Sequence, residues 1–192
     1  SMSKSTAKTR TMIYAALCLA LGVVLPLAFH SIPNAGSVFL PMHIPVLLCG
    51  LICGPLYGLA CGILSPLLSS IITGMPPAAY LPSMLCELAV YGLAAGVMIR
   101  VLHSTHELKR IYLALVAAML CGRIVGGVLN ALIFQFGNYS FAAWFAAYFV
   151  TGLAGILIQI FLIPLLIFAL RKAGLIKILG TAEPTVASET RI

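Results

Sequence analysis

A chain of 192 residues that is 62% hydrophobic and 8% charged is not a soluble domain, which runs near ~45–50% apolar and about 25% charged. Eleven Lys and Arg with four Asp and Glu cannot clothe a water-facing surface of this size, so lipid is the solvent. The net charge of +7 could suggest nucleic acid, but it stands at membrane-flanking positions with no aromatic interleaving or recognition motif beside it.

In chain order, a basic segment with Lys4, Lys8 and Arg10 is read as a cytoplasmic tail over residues 1–11, ahead of a membrane domain over 12–172. The first span, Met12 to Phe29, is read as retained rather than as a signal peptide. A polar loop, Ser31 to Leu40, leads to Met42 to Gly54, whose 13 residues are short for a hydrocarbon core of ~30 Å. This second span is therefore expected to be tilted, broken or extended backward through Val38. Pro55 opens a third span, Leu56 to Thr73, and the Pro-rich stretch Met75 to Pro82 is a loop. Spans four to six follow as Ser83 to Leu102, Ile111 to Phe136 and Ala142 to Leu170. A short polar tail over 173–192, disordered after Lys177, completes an all-α integral membrane protein of six spans.

Basic residues set the orientation. All Lys and Arg except Arg123 lie in the N-terminal tail, around the loop after span four, or in the C-terminal tail, and the loops at 31–40, 74–82 and 137–141 hold none. The positive-inside rule then places both termini in the cytoplasm. Small residues recur four apart at Ala16/Ala20, Gly50/Gly54, Gly58/Gly62, Gly92/Gly96 and Gly122/Gly126, a spacing that lets helix backbones approach closely in lipid. The six cysteines all lie in apolar stretches and read as packing residues, not as disulfides or metal ligands.

Glu87 and Arg123 are the charged residues left inside spans. A charge near the bilayer centre costs ~2.5–3.5 kcal/mol on insertion scales, so it faces the protein interior, a partner or a ligand. The two could pair with each other, or meet a polar or ionic solute. Asn130 lies seven residues after Arg123 on the same helix face, with Gly126 and Gly127 leaving room between them. Tyr91 is one turn from Glu87, and Gln159 and Thr151 add a polar stripe in span six. His43, in Pro41-Met42-His43-Ile44-Pro45, either hydrogen-bonds at a helix start or touches a ligand. Asn34, Tyr80, Asn138, Tyr139 and Trp144 sit at the opposite side from the basic residues, as interfacial anchors or as a wall over a bound solute. No Walker A sequence, Gly-x-Ser-x-Gly elbow, HExxH or carboxylate-rich metal cluster occurs. Glu87 alone supports no reaction class, so neither an enzyme nor a resident cofactor is expected.

The basic start followed by Ile13-Tyr14-Ala15-Ala16-Leu17-Cys18-Leu19-Ala20-Leu21, the segment Leu40-Pro41-Met42-His43-Ile44-Pro45-Val46-Leu47, the glycine-rich stretch from Gly50 to Gly62 and Glu87-Leu88-Ala89-Val90-Tyr91-Gly92 together resemble the substrate-binding S components of energy-coupling factor (ECF) vitamin transporters, over Met12 to Leu170. The resemblance implies a bacterial plasma-membrane protein that captures a water-soluble vitamin from outside. It further implies that the protein topples on a transmembrane coupling (T) protein energised by two ATPase subunits. Ala16 and Ala20 are similar to the motif by which such proteins dock on the T protein, and the family's solute contacts fall in spans four to six and the loops on the outer side.

For the solute, Arg123 suits a carboxylate and Asn130 a hydroxyl or amide, which fits pantothenate. The segment Met42 to Val46 resembles the pantothenate-type branch. Pyridoxine, which would use Glu87, and folate, cobalamin, queuosine and riboflavin stand as alternatives, as does a self-sufficient carrier. The outer loops show no repeated aromatic cluster, which speaks against a thiamin-like stacking pocket.

Overall fold

In hydrocarbon every backbone N–H and C=O must find its partner within the protein, so apolar runs of this length fold as helices. The structure, a computed structural model, describes residues 4–103 and 106–176; the tail expected after Lys177 lies outside them. The described elements are all helical: α1 (Lys4–Ala28), α2 (Ala35–Phe39), α3 (His43–Cys53), α4 (Pro55–Thr73), α5 (Leu81–Val101), α6 (Glu107–Leu129), α7 (Phe141–Phe145) and α8 (Leu153–Lys172). A π-helical turn at Asn130–Phe134 extends α6, and a second at Ala146–Thr151 follows α7. Six segments are long and apolar enough to cross a membrane, as the composition requires.

The boundaries depart from expectation where proline, glycine and wide turns intervene. Helix α1 begins at Lys4, so most of the segment read as a basic tail is the first turns of a helix. The second span does extend backward, but as two pieces. Pro41 lacks an N–H and disfavours right-handed helix at the residue before it, and Leu40 takes φ 49°, ψ 50° between α2 and α3. Span six, read as one run from Ala142 to Leu170, is interrupted: α7 and its π turn stop at Gly152, and α8 alone is the long helix. The loop before α5 contains Pro76 and Pro77, and hydroxyls from α4 cover its carbonyls. Ser69 Oγ donates to the Met75 oxygen at 2.7 Å and Ser70 Oγ to the Pro76 oxygen at 2.8 Å.

Helices α3, α4 and α5 meet along a glycine seam. A Cβ on Gly92 would collide with the Gly58 backbone, one on Gly58 with the Gly92 carbonyl, one on Gly62 with the Leu88 carbonyl, and one on Gly96 with the Pro55 backbone. The paired small residues of these helices are thus packing devices that bring backbones into contact without a hydrophobic driving force. Gly92→Ala is expected to destabilise the protein by about 1–3 kcal/mol, because the obstructing atoms are backbone and cannot step aside. Gly36→Ala, where a Cβ meets nothing within 4 Å, should stay within about 0.5 kcal/mol of wild type. Thermal unfolding in detergent compares the two.

Both ends of the described chain lie at one end of the bundle. Arg10 Nε donates to the Tyr14 hydroxyl at 3.0 Å, Arg10 also donates to the Gly174 and Leu175 carbonyls, and Tyr14 donates to Leu175 at 2.5 Å. Arg171 pairs with Glu107 across α8 and α6. Cys18, Cys49, Cys53 and Cys61 are buried free thiols within the apolar core, in keeping with a packing role. The candidate residues gather at the other end.

Candidate functional site

Helix α3 enters the bundle one residue after Met42, so His43 is carried inward on its first turn, and only 5% of it is exposed. Its Nε2 lies 3.3 Å from Glu87 Oε1 on α5. The second carboxylate oxygen, Glu87 Oε2, accepts from the Tyr148 hydroxyl at 2.9 Å. Tyr91, one turn beyond Glu87 and fully buried, presents its ring edge-on to His43, with centroids 5.0 Å apart and planes at 78°. One carboxylate therefore ties together α3, α5 and the π turn before α8.

Arg123 stands apart from that cluster. Of the two routes open in the sequence, a Glu87–Arg123 ion pair is not the one taken: among the described residues Glu87 pairs with His43, and the Arg123 side chain donates through one terminal nitrogen to the Tyr148 carbonyl. Its guanidinium carbon lies 5.7 Å from the Tyr148 ring centroid and 5.4 Å from that of Phe149, close enough for cation–π attraction. The other terminal nitrogen is buried with no hydrogen-bond partner. A cavity of about 110 Å³, open on one side, lies against Arg123 and is walled by Val116, Met119, Leu120, Phe149, Ile156 and Ile160.

The backbone that frames Arg123 is shaped for the aromatic residues opposite. Trp144 Nε1 donates to the Arg123 carbonyl at 2.9 Å. A Cβ on Gly127 would strike the Trp144 ring, and one on Gly126 would come within 2.8 Å of the Tyr148 hydroxyl. The two glycines give α6 the hollows into which α7 and its π turn dock. Wide π turns are frequent at functional sites, and here they carry Asn130 on one side and Tyr148 and Phe149 on the other. Asn130 is buried and accepts from Ser83 Oγ at 2.9 Å, joining α5 to the end of α6.

The remaining candidates divide. Gln159 is fully buried on the turn of α8 that holds Ile156 and Ile160, and both of its amide atoms lack partners. Thr151 is exposed and forms no stripe with it. Asn34 is exposed at the start of α2, and Tyr80 is 65% exposed ahead of α5; neither reaches the cluster. Tyr148, Phe149 and Ser83 were not among the residues expected from sequence. The spacing of Phe141, Trp144, Phe145, Tyr148 and Phe149 marks one helix face, and these rings form a continuous series of contacts with centroids 5.2–6.4 Å apart. Phe141 borders the run read as a span and the other four rings fall inside it, so the series does not bear on the expectation that the outer loops hold no repeated aromatic cluster.

The candidate site thus sets a buried, half-satisfied cation against an apolar cavity with a polar cluster at its side, and among the described residues no group of three His, Cys, Asp or Glu could hold a metal ion. The model of the ECF transporter, substrate-specific component, matches residues 10–170. The chain belongs to that family. No curated protein and no solved structure matches it. As an S component it is a substrate-binding transporter subunit rather than an enzyme, a multi-pass plasma-membrane protein that serves an ECF importer together with a T protein and ATPases.

Proposed function

We propose that this S component captures a small carboxylate vitamin, pantothenate first among them, at the end of the bundle opposite its termini. The observation that carries the reading is the unpartnered terminal nitrogen of Arg123, a residue only 2% exposed. A buried guanidinium without a carboxylate is costly in a low-dielectric interior, and a ligand carboxylate relieves that cost through a charge-assisted hydrogen bond. Glu87, by contrast, has both oxygens occupied by His43 and Tyr148. A cationic or pyridine-type vitamin that relied on Glu87 would have to displace them, which favours pantothenate over pyridoxine.

The remaining polar groups suit the rest of such a molecule. His43 Nδ1 and the Tyr91 hydroxyl are buried without partners, and Asn130 with Ser83 offers a hydroxyl-binding edge on the neighbouring helices. The excess of Lys and Arg at the end holding the termini supports a cytoplasmic placement of both, so the site faces outward. Ala16 and Ala20 supply the surface for the T protein, and the ATPases of that module supply the energy.

A thermal-shift series on the purified protein with water-soluble vitamins tests the reading. A ligand at ~100 times its Kd stabilises by about 2.7 kcal/mol. Pantothenate is expected to give the largest shift and pyridoxine none. A shift with pyridoxine or thiamin and none with any carboxylate vitamin overturns the assignment.

A further inference from the structure

His43 has a nitrogen that the protein leaves unused. The residue is 5% exposed at the start of α3, and its Nε2 faces Glu87 Oε1 at 3.3 Å while Nδ1 is buried without a hydrogen-bond partner. An ionised carboxylate oxygen only accepts, so Nε2 holds a hydrogen in either charge state of the ring. Protonation therefore changes Nδ1, which is a bare acceptor on the neutral ring and a second donor on the cationic one. The ionisable groups around the ring are Glu87 and Tyr91 from α5, Tyr148 from the second π turn and, through Tyr148, Arg123 from α6. Tyr148 donates its hydroxyl to Glu87, accepts from Arg123 at its carbonyl and sets its ring against the guanidinium. On α1 and α4 every ionisable side chain precedes Leu19 and Gly62, and on α8 they follow Leu170, toward the end that holds the termini.

Before a solute binds, Glu87 and Arg123 cancel while His43 is neutral. A solute carboxylate on Arg123 leaves the cluster with one negative charge in excess, and an uncompensated charge is costly in a low-dielectric interior. One proton on His43 restores neutrality, and it turns Nδ1 into a donor for a charge-assisted hydrogen bond to an oxygen of the solute. We infer that His43 is the proton-binding residue of the site, so that the solute is captured as an anion together with a proton. This rests on the anion reading of Arg123 and deepens it. Proton and solute then strengthen each other's binding by the same factor, so affinity for the anion falls as pH rises. A cationic solute would give the reverse dependence.

Calorimetric titration of the purified protein with pantothenate, in buffers that differ in ionisation heat, counts the protons that accompany binding. The series runs from about pH 6 to about pH 8.5, which brackets imidazole ionisation and stays above that of a free carboxylate. Wild type should take up about half a proton or more per pantothenate at some pH in this window, where its affinity should fall by about 3-fold or more per pH unit. His43→Gln keeps a donor for Glu87 but cannot be protonated, so both the uptake and the pH dependence should disappear. Glu87→Gln gives a second reading, because Arg123 and the solute then cancel without a proton and uptake should vanish there too. Uptake below about half a proton throughout the window in wild type, or uptake that persists in either variant, overturns the inference and leaves the role of Arg123 standing. Wild-type-like pantothenate affinity in Arg123→Met, or no pantothenate binding by wild type, overturns the anion reading and this inference with it.

Discussion

Arg123→Met is expected to lower the affinity for a carboxylate vitamin by about 100-fold or more, while the ligand-free protein unfolds at the wild-type temperature or above it. Removing one partner of a buried hydrogen-bonded charge pair costs ~2–5 kcal/mol, and ~2.7 kcal/mol is already two decades in Kd. Methionine keeps the length and the apolar stem, so contact with the Phe149 ring and the cavity wall survives while the charge goes. The folded state loses the donation to the Tyr148 carbonyl and two cation–π contacts, but it also sheds a buried cation with an open nitrogen, and these effects oppose each other. Arg123→Lys retains charge but not the planar fork, so it should fall between the two, about 10-fold weaker than wild type. Titration calorimetry with parallel thermal unfolding reads both quantities. Wild-type affinity in Arg123→Met would remove the anion from the site.

The separation of affinity from stability is what the arrangement of charges predicts. Glu87 is held from two sides by His43 and Tyr148, so its loss should loosen the contacts among α3, α5 and the π turn as well as any ligand contact. Arg123 is held from one side. The buried polar atoms left open on α3, α5 and α6, His43 Nδ1, the Tyr91 hydroxyl and the second terminal nitrogen of Arg123, are the groups on which the proposed solute site rests.

Much of this was legible in the sequence, and what was not has definite causes. The six spans follow from composition and run length, since lipid leaves few alternatives to a helix. Glu87, Arg123, Asn130, Tyr91 and His43 stand out because polar side chains in apolar runs are few and need partners. The partners themselves could not be read. Whether Glu87 meets Arg123 or His43 depends on how α3, α5 and α6 are rotated, and the Gly58–Gly92 contact and Tyr91 over Gly122 fix that rotation; the four-residue spacing shows that these glycines pack, but not against which partner. Tyr148 and Phe149 were hidden for a different reason. In an apolar run of 29 residues the break at Gly152 leaves no change in composition, so rings that line the site look like lipid-facing ones. Asn34 and Tyr80 are exposed, which fits the anchor reading as readily as the ligand one, since a polar residue at a span border can serve either way.

Ala16→Trp combined with Ala20→Trp is expected to leave vitamin affinity within about twofold of wild type and to reduce uptake with the coupling module to background. Helix α1 packs chiefly on α3 and α4, buries only Cys18 and Gly22, and turns Ala16 and Ala20 outward. The same face carries Ile13, Leu17, Leu21 and Val24, between 43% and 56% exposed. In lipid, large aliphatic groups gain little by leaving one apolar surface for another, so a partner helix is held by close backbone approach over small residues. Two indoles on that strip hold the partner away. Ala16 and Ala20 lie on the opposite side of α1 from Gly22, whose Cβ would strike Ser65 of α4, so the added bulk does not enter the bundle. Ile71→Trp supplies the control, because Ile71 is 72% exposed on α4 and its substitution adds the same bulk to a lipid-facing position elsewhere, with uptake expected to persist. Uptake by proteoliposomes containing the coupling module, measured beside binding in detergent, separates the two functions. Full uptake in the double tryptophan variant would take docking away from this face. Loss of binding would instead mean that α1 controls the shape of the site, with α3 and its His43 as the route, since α3 is the element that touches both.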